Sequence, residues 1–339
     1  MTEPERSADR RTPSSGGAVH AAQPTVVSVV GARGFLGRRI CAVLAKRGHL
    51  VHPFDRDMPP ATVDGLDLRV PASDHVVWAA SSINLMIAEN DPDRVALDTE
   101  VFLSFVTAVA AVPDGPRTIL LSSGGTVYDS SVVPPYSETS PVGPRSAYGR
   151  AKLGLEQLLL ANDADGLVLR VSNAYGPGQQ VAPGQGVIAH WLHAIAAGQD
   201  IHIFGDPAIS RDYVHADDIA VAVATAVEQD YRTHDVLNIG SGHPTSLREL
   251  FAVVAHATGD ASLEPRLHPA RTFDTTSTWL DCERAAHTLG WRPQITLAEG
   301  IAETWQIVAA HAVQGGFAPA LPTPPVLTTL PTTASEARP

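Results

Sequence analysis

The chain has 339 residues, with 24 Lys and Arg against 36 Asp and Glu, a formal net charge of −12. That length exceeds one ordinary hydrophobic core and predicts a large domain with a smaller lobe, and the negative balance argues against nucleic acid or an anionic membrane surface as partner. No apolar run approaches the ~20 residues of a membrane span, the N-terminus lacks the apolar core of a signal peptide, and Cys41 and Cys282 are too few for a disulfide framework, so the expectation is a soluble cytoplasmic protein with two inert thiols.

Residues 1–24 are polar and rich in Ser, Arg and Gly, and read as a disordered arm. The first ordered element is the β-branched run from Thr25 to Val30, which enters Gly31-Ala-Arg-Gly34-Phe35-Leu36-Gly37 and then a helical pattern from Leu36 to Arg47. Glycines after a strand allow a tight turn and let the backbone approach a pyrophosphate, which lies on the helix N-terminus. A second strand, Leu50 to Phe54, ends at Asp55, where a carboxylate accepts from both adenosine ribose hydroxyls and repels a 2′-phosphate. This favours NAD. Arg33 in the loop and Arg56 after Asp55 are each able to bind a phosphate, so NADP is not excluded.

Between Asp55 and His75 there is room for one strand and a turn but no strand-helix-strand excursion, so the adenine side of the pocket is abbreviated. Asp64 and Asp67 there either cap adenine or serve as turn residues. The run Val76-Val-Trp-Ala79-Ala80-Ser81 follows, with Ala79 and Ala80 as candidate cofactor-binding residues, and apolar helices are expected over 95–112 and 147–160. Between them lies Ser122-Ser123-Gly124-Gly125-Thr126-Val127-Tyr128.

In the second of those helices Tyr148 and Lys152 stand four apart, on one face. A tyrosine of ordinary pKa, about 10, is a poor base at neutral pH. A neighbouring ammonium and a positive nicotinamide ring favour the phenolate, which makes Tyr148 the candidate general acid/base and Lys152 its partner. Alone, such a pair is more often an ordinary feature of an amphipathic helix; the glycine loop supplies the context. Further on, His190 and His193 lie three apart on one helix with no carboxylate or cysteine to complete a ligand set, so no metal is expected. Taken singly, Arg211-Asp212 reads as a surface ion pair.

In order, these segments resemble the extended short-chain dehydrogenase/reductases, and within them the sugar-nucleotide epimerase/dehydratase family typified by UDP-galactose 4-epimerase. The resemblance runs over roughly residues 25–315, through Leu169-Arg170-Val-Ser-Asn173-Ala-Tyr175-Gly176-Pro177, Phe204 to Asp218, Leu237 to Gly240 and Leu289-Gly-Trp291-Arg-Pro293. It implies an α/β fold, a doubly wound parallel Rossmann sheet holding NAD over 25–175, with a nucleotide-sugar lobe mainly over 176–316 interleaved with that sheet. Residues 317–339, rich in Pro, Thr and Ala, read as a disordered tail. It further implies that Asn173, Arg211 and Arg271 contact a diphosphate, that Asp274 takes the nucleoside ribose, and that the apolar helix pair forms a homodimer contact. Arginine forks suit phosphate oxygens, and a carboxylate suits a diol.

Gly124 occupies the position where relatives carry the third catalytic hydroxyl, which leaves Ser123, Thr126 or a water to replace it. Dehydrating relatives have an Asp-Glu pair where this chain has Gly125-Thr126, so elimination is disfavoured. Thr278, a small residue where the type member has a bulky tyrosine, leaves room for an N-acetyl group or is merely a strand residue. The resulting expectation is an NAD-dependent nucleotide-sugar 4-epimerase that keeps its NAD and works through a transient 4-keto sugar. The alternatives are a 4-ketoreductase or dehydrogenase and, from another class, a non-catalytic dinucleotide sensor.

Overall fold

A computed structural model describes residues 24–162, 166–229, 235–270 and 277–313. Its first element is β1 (Val26–Val30), whose Val-Val-Ser-Val-Val sequence suits a strand buried on both faces. α1 (Phe35–Lys46) starts from Gly34, and β2 (Leu50–Phe54) pairs parallel to β1. The segment before β5 (His75–Trp78) forms a hairpin of β3 (Ala61–Thr62) and β4 (Gly65–Leu66), two very short strands where one was expected. No helix intervenes, so β2 is left as the sheet edge, with Pro53 in a position that edge strands tolerate.

Two helices follow in tandem. Asn84 caps α2 (Leu85–Asn90), and Asp91 caps α3 (Pro92–Ala110), which has proline at its first position. β6 (Arg117–Ser123) leads to α4 (Ala147–Ala161), then β7 (Leu167–Val171). β8 (Asn173–Tyr175) and α5 (Val187–Ala196) open the lobe, followed by β9 (His202–Phe204), β10 (Ser210–Arg211), β11 (Tyr213–His215) and α6 (Ala216–Glu228). The chain then returns to the main sheet as β12 (Asp235–Ile239) and finishes with β13 (Thr245–Ser246), α7 (Leu247–Thr258), β14 (Arg266–His268), α8 (Glu283–Leu289) and α9 (Leu297–Val313).

The main sheet has the order β12-β7-β6-β5-β1-β2 and is parallel throughout. Chain direction across the sheet reverses between β1 and β5, and ligands of open α/β sheets bind at such a switch point. The two helical layers follow from strand alternation. Ile119 and Leu121 of β6 face a core shared with Ile40 and Leu44 of α1 and Ile219 and Val223 of α6. Leu120 faces the opposite core, with Phe102, Phe105 and Val106 of α3 and Leu155 and Leu159 of α4. A third core around Trp191, Leu192, Leu250, Val254 and Ile301 packs α5, α7 and α9 together in the lobe. Among the described residues, no helix is long and apolar enough to cross a membrane.

Candidate active site

The glycine loop is built by close approach of backbone. Gly31 has φ +88°, and a Cβ on it would lie 2.7 Å from the Ala80 nitrogen; a Cβ on Gly37 would lie 2.1 Å from the Gly31 carbonyl oxygen. A side chain at either position would break the loop. Gly34 donates to the Gly31 carbonyl at 2.8 Å, and it caps α1 without any side chain over the helix end. The Phe35, Leu36 and Gly37 amides therefore have no partner within the helix and are left for an anion. This cradle fits a dinucleotide pyrophosphate. Ala79 and Ala80, half-buried at the end of β5, form the other wall of the cleft.

Directly after β2, the Asp55 carboxylate is already engaged by protein groups. One oxygen accepts from the Asp57 and Met58 amides at 2.8 and 3.1 Å, and the other pairs with Arg33 Nε at 2.7 Å. Arg33 also reaches Asp57 at 2.6 Å, and Arg56 is exposed beside them. Asp64 and Asp67 are turn residues: the Asp64 amide bonds to Thr62, and Asp67 accepts from the Arg69 backbone and guanidinium, which holds its carboxyl down at about 2.

Tyr148 and Lys152 are positioned by α4. Its first turn is held twice, by Ser146, which accepts from the Gly149 amide, and by Glu89 of α2, which accepts from the Ala147 amide at 2.6 Å. Tyr148 is half-buried here, and Lys152, 5% exposed, places Nζ 5.7 Å from the centre of its ring. The next residue on that stripe is Glu156, 2% exposed. Arg170 of β7 binds it through Nε at 3.1 Å and Nη2 at 2.7 Å, and the Ser122 hydroxyl donates to it as well. The guanidinium stacks over Tyr128, 4.9 Å from the ring centre, and the Tyr128 hydroxyl donates to Asn238 of β12 at 2.6 Å. Burial raises the Tyr128 pKa, with Arg170 opposing, so Tyr128 acts as a neutral donor. Sequence reasoning gave no role to Glu156, Arg170 or Asn238, although Glu156 continues the four-residue spacing from Lys152.

Gly124 has a packing reason. A Cβ there would lie 2.6 Å from Leu280 Cδ1 and 3.0 Å from the Arg170 carbonyl, so Leu280 fills the space a hydroxyl-bearing side chain needs. Next to it, Thr126 Oγ1 donates to Ser123 Oγ at 2.9 Å, which uses the Thr126 proton and leaves that of Ser123 available. Gly149 packs against the Thr126 carbonyl, where a Cβ would lie 2.4 Å away, so this hydroxyl pair is adjacent to the start of the tyrosine helix.

A crevice beyond the carboxyl ends of β6 and β7 is lined by Gly124, Gly125, Asn173, Asp212, Thr278 and Trp279, among others. It brings Asn173 and Thr278 together with Arg211, which forms a bridge with Thr278. The Asn173 amide donates to the Asp212 carbonyl at 2.9 Å, and Arg211 Nη1 to the Ser210 carbonyl at 2.9 Å. Arg271 and Asp274 lie outside the described residues. The reading of Arg211-Asp212 as a surface ion pair is wrong. Asp212 is 1% exposed and accepts from the Ser172 and Ser241 hydroxyls and from the Ser241, Gly242 and Leu280 amides. It clips three separate segments together, a role no local pattern announces. Burial raises its pKa, against the pull of those hydrogen bonds.

Histidines 190 and 193 bond to the Ala182 and Ala189 carbonyls, and the described residues hold no group of three metal-ligating side chains. Burial pushes the Cys41 thiol up to about 11 and that of Cys282 higher still; both are free.

The chain is 33% identical over 303 residues to a UDP-glucose 4-epimerase of Mycolicibacterium smegmatis, which covers 81% of this chain and 96% of that one. Its fold is similar to that of the Thermotoga maritima UDP-glucose 4-epimerase solved with UDP-glucose, with a TM-score of 0.74, 28% identity and coverage of 83% and 98%. The Thermus thermophilus UDP-glucose 4-epimerase in complex with NAD gives a TM-score of 0.70 at 27% identity over 84% and 98% of the two chains. Residues 27–240 match the model of the NAD dependent epimerase/dehydratase family, and the chain belongs to that family.

Proposed function

We propose that this protein is an NAD-dependent 4-epimerase of nucleoside diphosphate sugars. The observation that carries the reading is the Tyr148 and Lys152 pair on one face of α4, with Lys152 buried beside the tyrosine ring. The relatives named as UDP-glucose 4-epimerases support that substrate class, and the Thermotoga enzyme holds UDP-glucose. Gly125 and Thr126 offer no acid for expelling a sugar hydroxyl, which supports epimerisation over dehydration.

In this reading, Gly31, Gly34, Phe35, Leu36 and Gly37 seat the pyrophosphate, and Ala79 and Ala80 wall the nicotinamide side. When bound, NAD supplies the hydride acceptor and donor for chemistry at C4. Tyr148 takes the C4 hydroxyl proton and later returns it, and the Lys152 ammonium stabilises the phenolate form. Ser123, with its proton left available by Thr126, takes the place of the hydroxyl absent at Gly124 and donates to the C4 oxygen. Asn173, Arg211 and Arg271 hold the diphosphate, Asp274 the ribose, and Thr278 borders the sugar. A firm grip on the diphosphate with a loosely held hexose lets the sugar present either face.

The working unit is a cytoplasmic homodimer joined through α3 and α4. Leu97 and Val101, one turn apart on α3, are 51% and 50% exposed, and Gly154 of α4 faces open space. The two free cysteines support a reducing compartment. Proton NMR on the purified protein with catalytic NAD and UDP-, dTDP- and GDP-sugars, N-acetylated and uronate forms included, tests the reaction. A new C4 epimer without accumulating NADH is expected. Stoichiometric NADH or a persistent ketone would replace this reading with a dehydrogenase.

A further inference from the structure

We propose that Glu156 is a positioning residue for the proton transfer, anchored on a polar row of the sheet so that the Tyr148 and Lys152 face of α4 keeps one register against the Ser123 end of β6. This rests on the proton-transfer role of Tyr148 given above and adds what holds that tyrosine in place.

Ser122 of β6, Arg170 of β7 and Asn238 of β12 are neighbours in register across three adjacent strands. Partners in register point to one face of a sheet, here the face on which α4 packs. Two residues back along each strand, the same face carries Leu120, Val168 and Val236, in one core with Leu155 and Leu159 of α4. Apolar contacts of that kind are non-directional, so a helix can turn or slide over them with little change in buried area. The polar row allows no such drift. The Glu156 carboxylate takes both the Ser122 hydroxyl and the Arg170 fork. Tyr128 covers the Arg170 guanidinium, 4.9 Å from its ring centre, and donates to Asn238 at 2.6 Å. Each of these hydrogen bonds has a direction and a narrow range of length.

Stability alone gives no reason for the row. All of its members are buried, and Arg170 Nη1 is buried with no hydrogen-bond acceptor among the described residues. Desolvating an ion pair costs about as much as the pair returns, so apolar side chains of similar volume would hold the layers together equally well. What they would not supply is register, the best-attested use of buried polar groups. Register matters here because of what stands on either side. Tyr148, Lys152 and Glu156 share one face of α4 by their four-residue spacing, and Ser123 directly follows Ser122 at the end of β6. One carboxylate therefore references both the helix that carries the phenol and the strand that carries the hydroxyl. A second fixed point lies two turns earlier, where Gly149 meets the Thr126 carbonyl too closely for a Cβ. Lys152 lies between the two points, and a misplacement of ~1 Å in such a site costs on the order of 100-fold in rate.

The experiment replaces the anchors by apolar groups in the full-length chain, Ser122→Ala with Glu156→Met and Arg170→Met, and reads kcat, KM and melting together. We expect kcat to fall by ~10-fold or more, with KM for the nucleotide sugar and the dissociation constant of NAD within ~3-fold of wild type. The melting temperature should stay within about 3 °C of wild type. A wild-type kcat would overturn the proposal, as would equal losses of kcat and NAD binding, which mark general damage. If the triple variant does not fold, Ser122→Ala and Tyr128→Phe, each removing one hydroxyl, give the same reading: kcat lower by ~3-fold or more at unchanged KM supports the role, and wild-type kcat in both overturns it. A wild-type protein that turns over no nucleotide sugar would sink the proposed function by itself. The register is then read from amide hydrogen exchange, where the first turns of α4 should exchange ~10-fold faster in the apolar variant, and equal exchange would overturn the positioning role.

Discussion

Two clusters flanking the main sheet are both built from arginine and carboxylate, but in opposite settings. Between the tyrosine helix and the sheet, Glu156 of α4 and Arg170 of β7 are 2% and 5% exposed, and further hydrogen bonds run from Ser122 to Glu156 and from Tyr128 to Asn238. Between the glycine loop and the end of β2, Arg33 and Asp57 are 69% and 78% exposed and meet in water. A desolvated pair is costly to break, because removing one partner strands a charge. An exposed pair is easily exchanged. The first suits a proton-transfer group that must keep one geometry, and the second suits recognition that can vary.

The largest test of that contrast is Arg170→Met. It leaves Glu156 buried with only a hydroxyl for company, and the expected loss is about 3–5 kcal/mol, read from the urea midpoint. Adding Glu156→Gln removes the stranded charge and should return most of it. If the single variant unfolds at the wild-type midpoint, the pair is not the rigid support described. Next in size is Tyr148→Phe, which keeps the ring beside Lys152 and removes the proton carrier. Turnover should fall by ~100-fold or more while bound NAD and the melting temperature stay unchanged, which separates chemistry from scaffold. Normal turnover would remove Tyr148 from its role.

Much of this was legible in the sequence, and the limits are physical. β1, the glycine loop, β2 and α4 came within a residue or two because local rules set them: β-branched runs, a backbone approach that excludes Cβ, and a four-residue spacing on a helix. The missing excursion after β2 was legible as plain chain length. Asp212 was misread because its amide partners at Ser241, Gly242 and Leu280 are far away in sequence. Gly124 appeared only as a missing hydroxyl, since nothing local shows that Leu280 fills its side-chain space.

His215 sharpens the comparison from a third direction, being a buried titratable group with a carboxylate near one ring nitrogen. Its side chain is 0% exposed; Nδ1 accepts from the Asp217 amide at 3.3 Å, and Nε2 stops 3.6 Å short of Glu303. Burial lowers its pKa, outweighing Asp217, Glu303 and Asp218, with Arg39 adding to the depression; Tyr175 packs edge-on against the ring. The fold therefore prefers the neutral imidazole. Its stabilising contribution is complete above the unfolded value of 6.5 and is lost as pH falls through the lower folded value. His215→Asn keeps a capping acceptor and removes that titration, so the melting temperature of the wild type should fall more than that of the variant between pH 7.5 and pH 5. Parallel curves would mean that His215 is as readily protonated folded as unfolded.

The smallest effect belongs to the exposed pair. Asp57→Asn deletes a 2.6 Å contact, shorter than the buried Nη2 contact of Arg170, yet it should move the melting temperature by no more than about 1–2 °C. Both side chains are mostly hydrated, and Arg33 keeps Asp55 as a partner. Distance alone would rank this contact above the one in the buried lattice; desolvation ranks it last. A melting-temperature loss for Asp57→Asn comparable to that of Arg170→Met would mean that Arg33 is locked in place and that exposure does not set the strength of this pair.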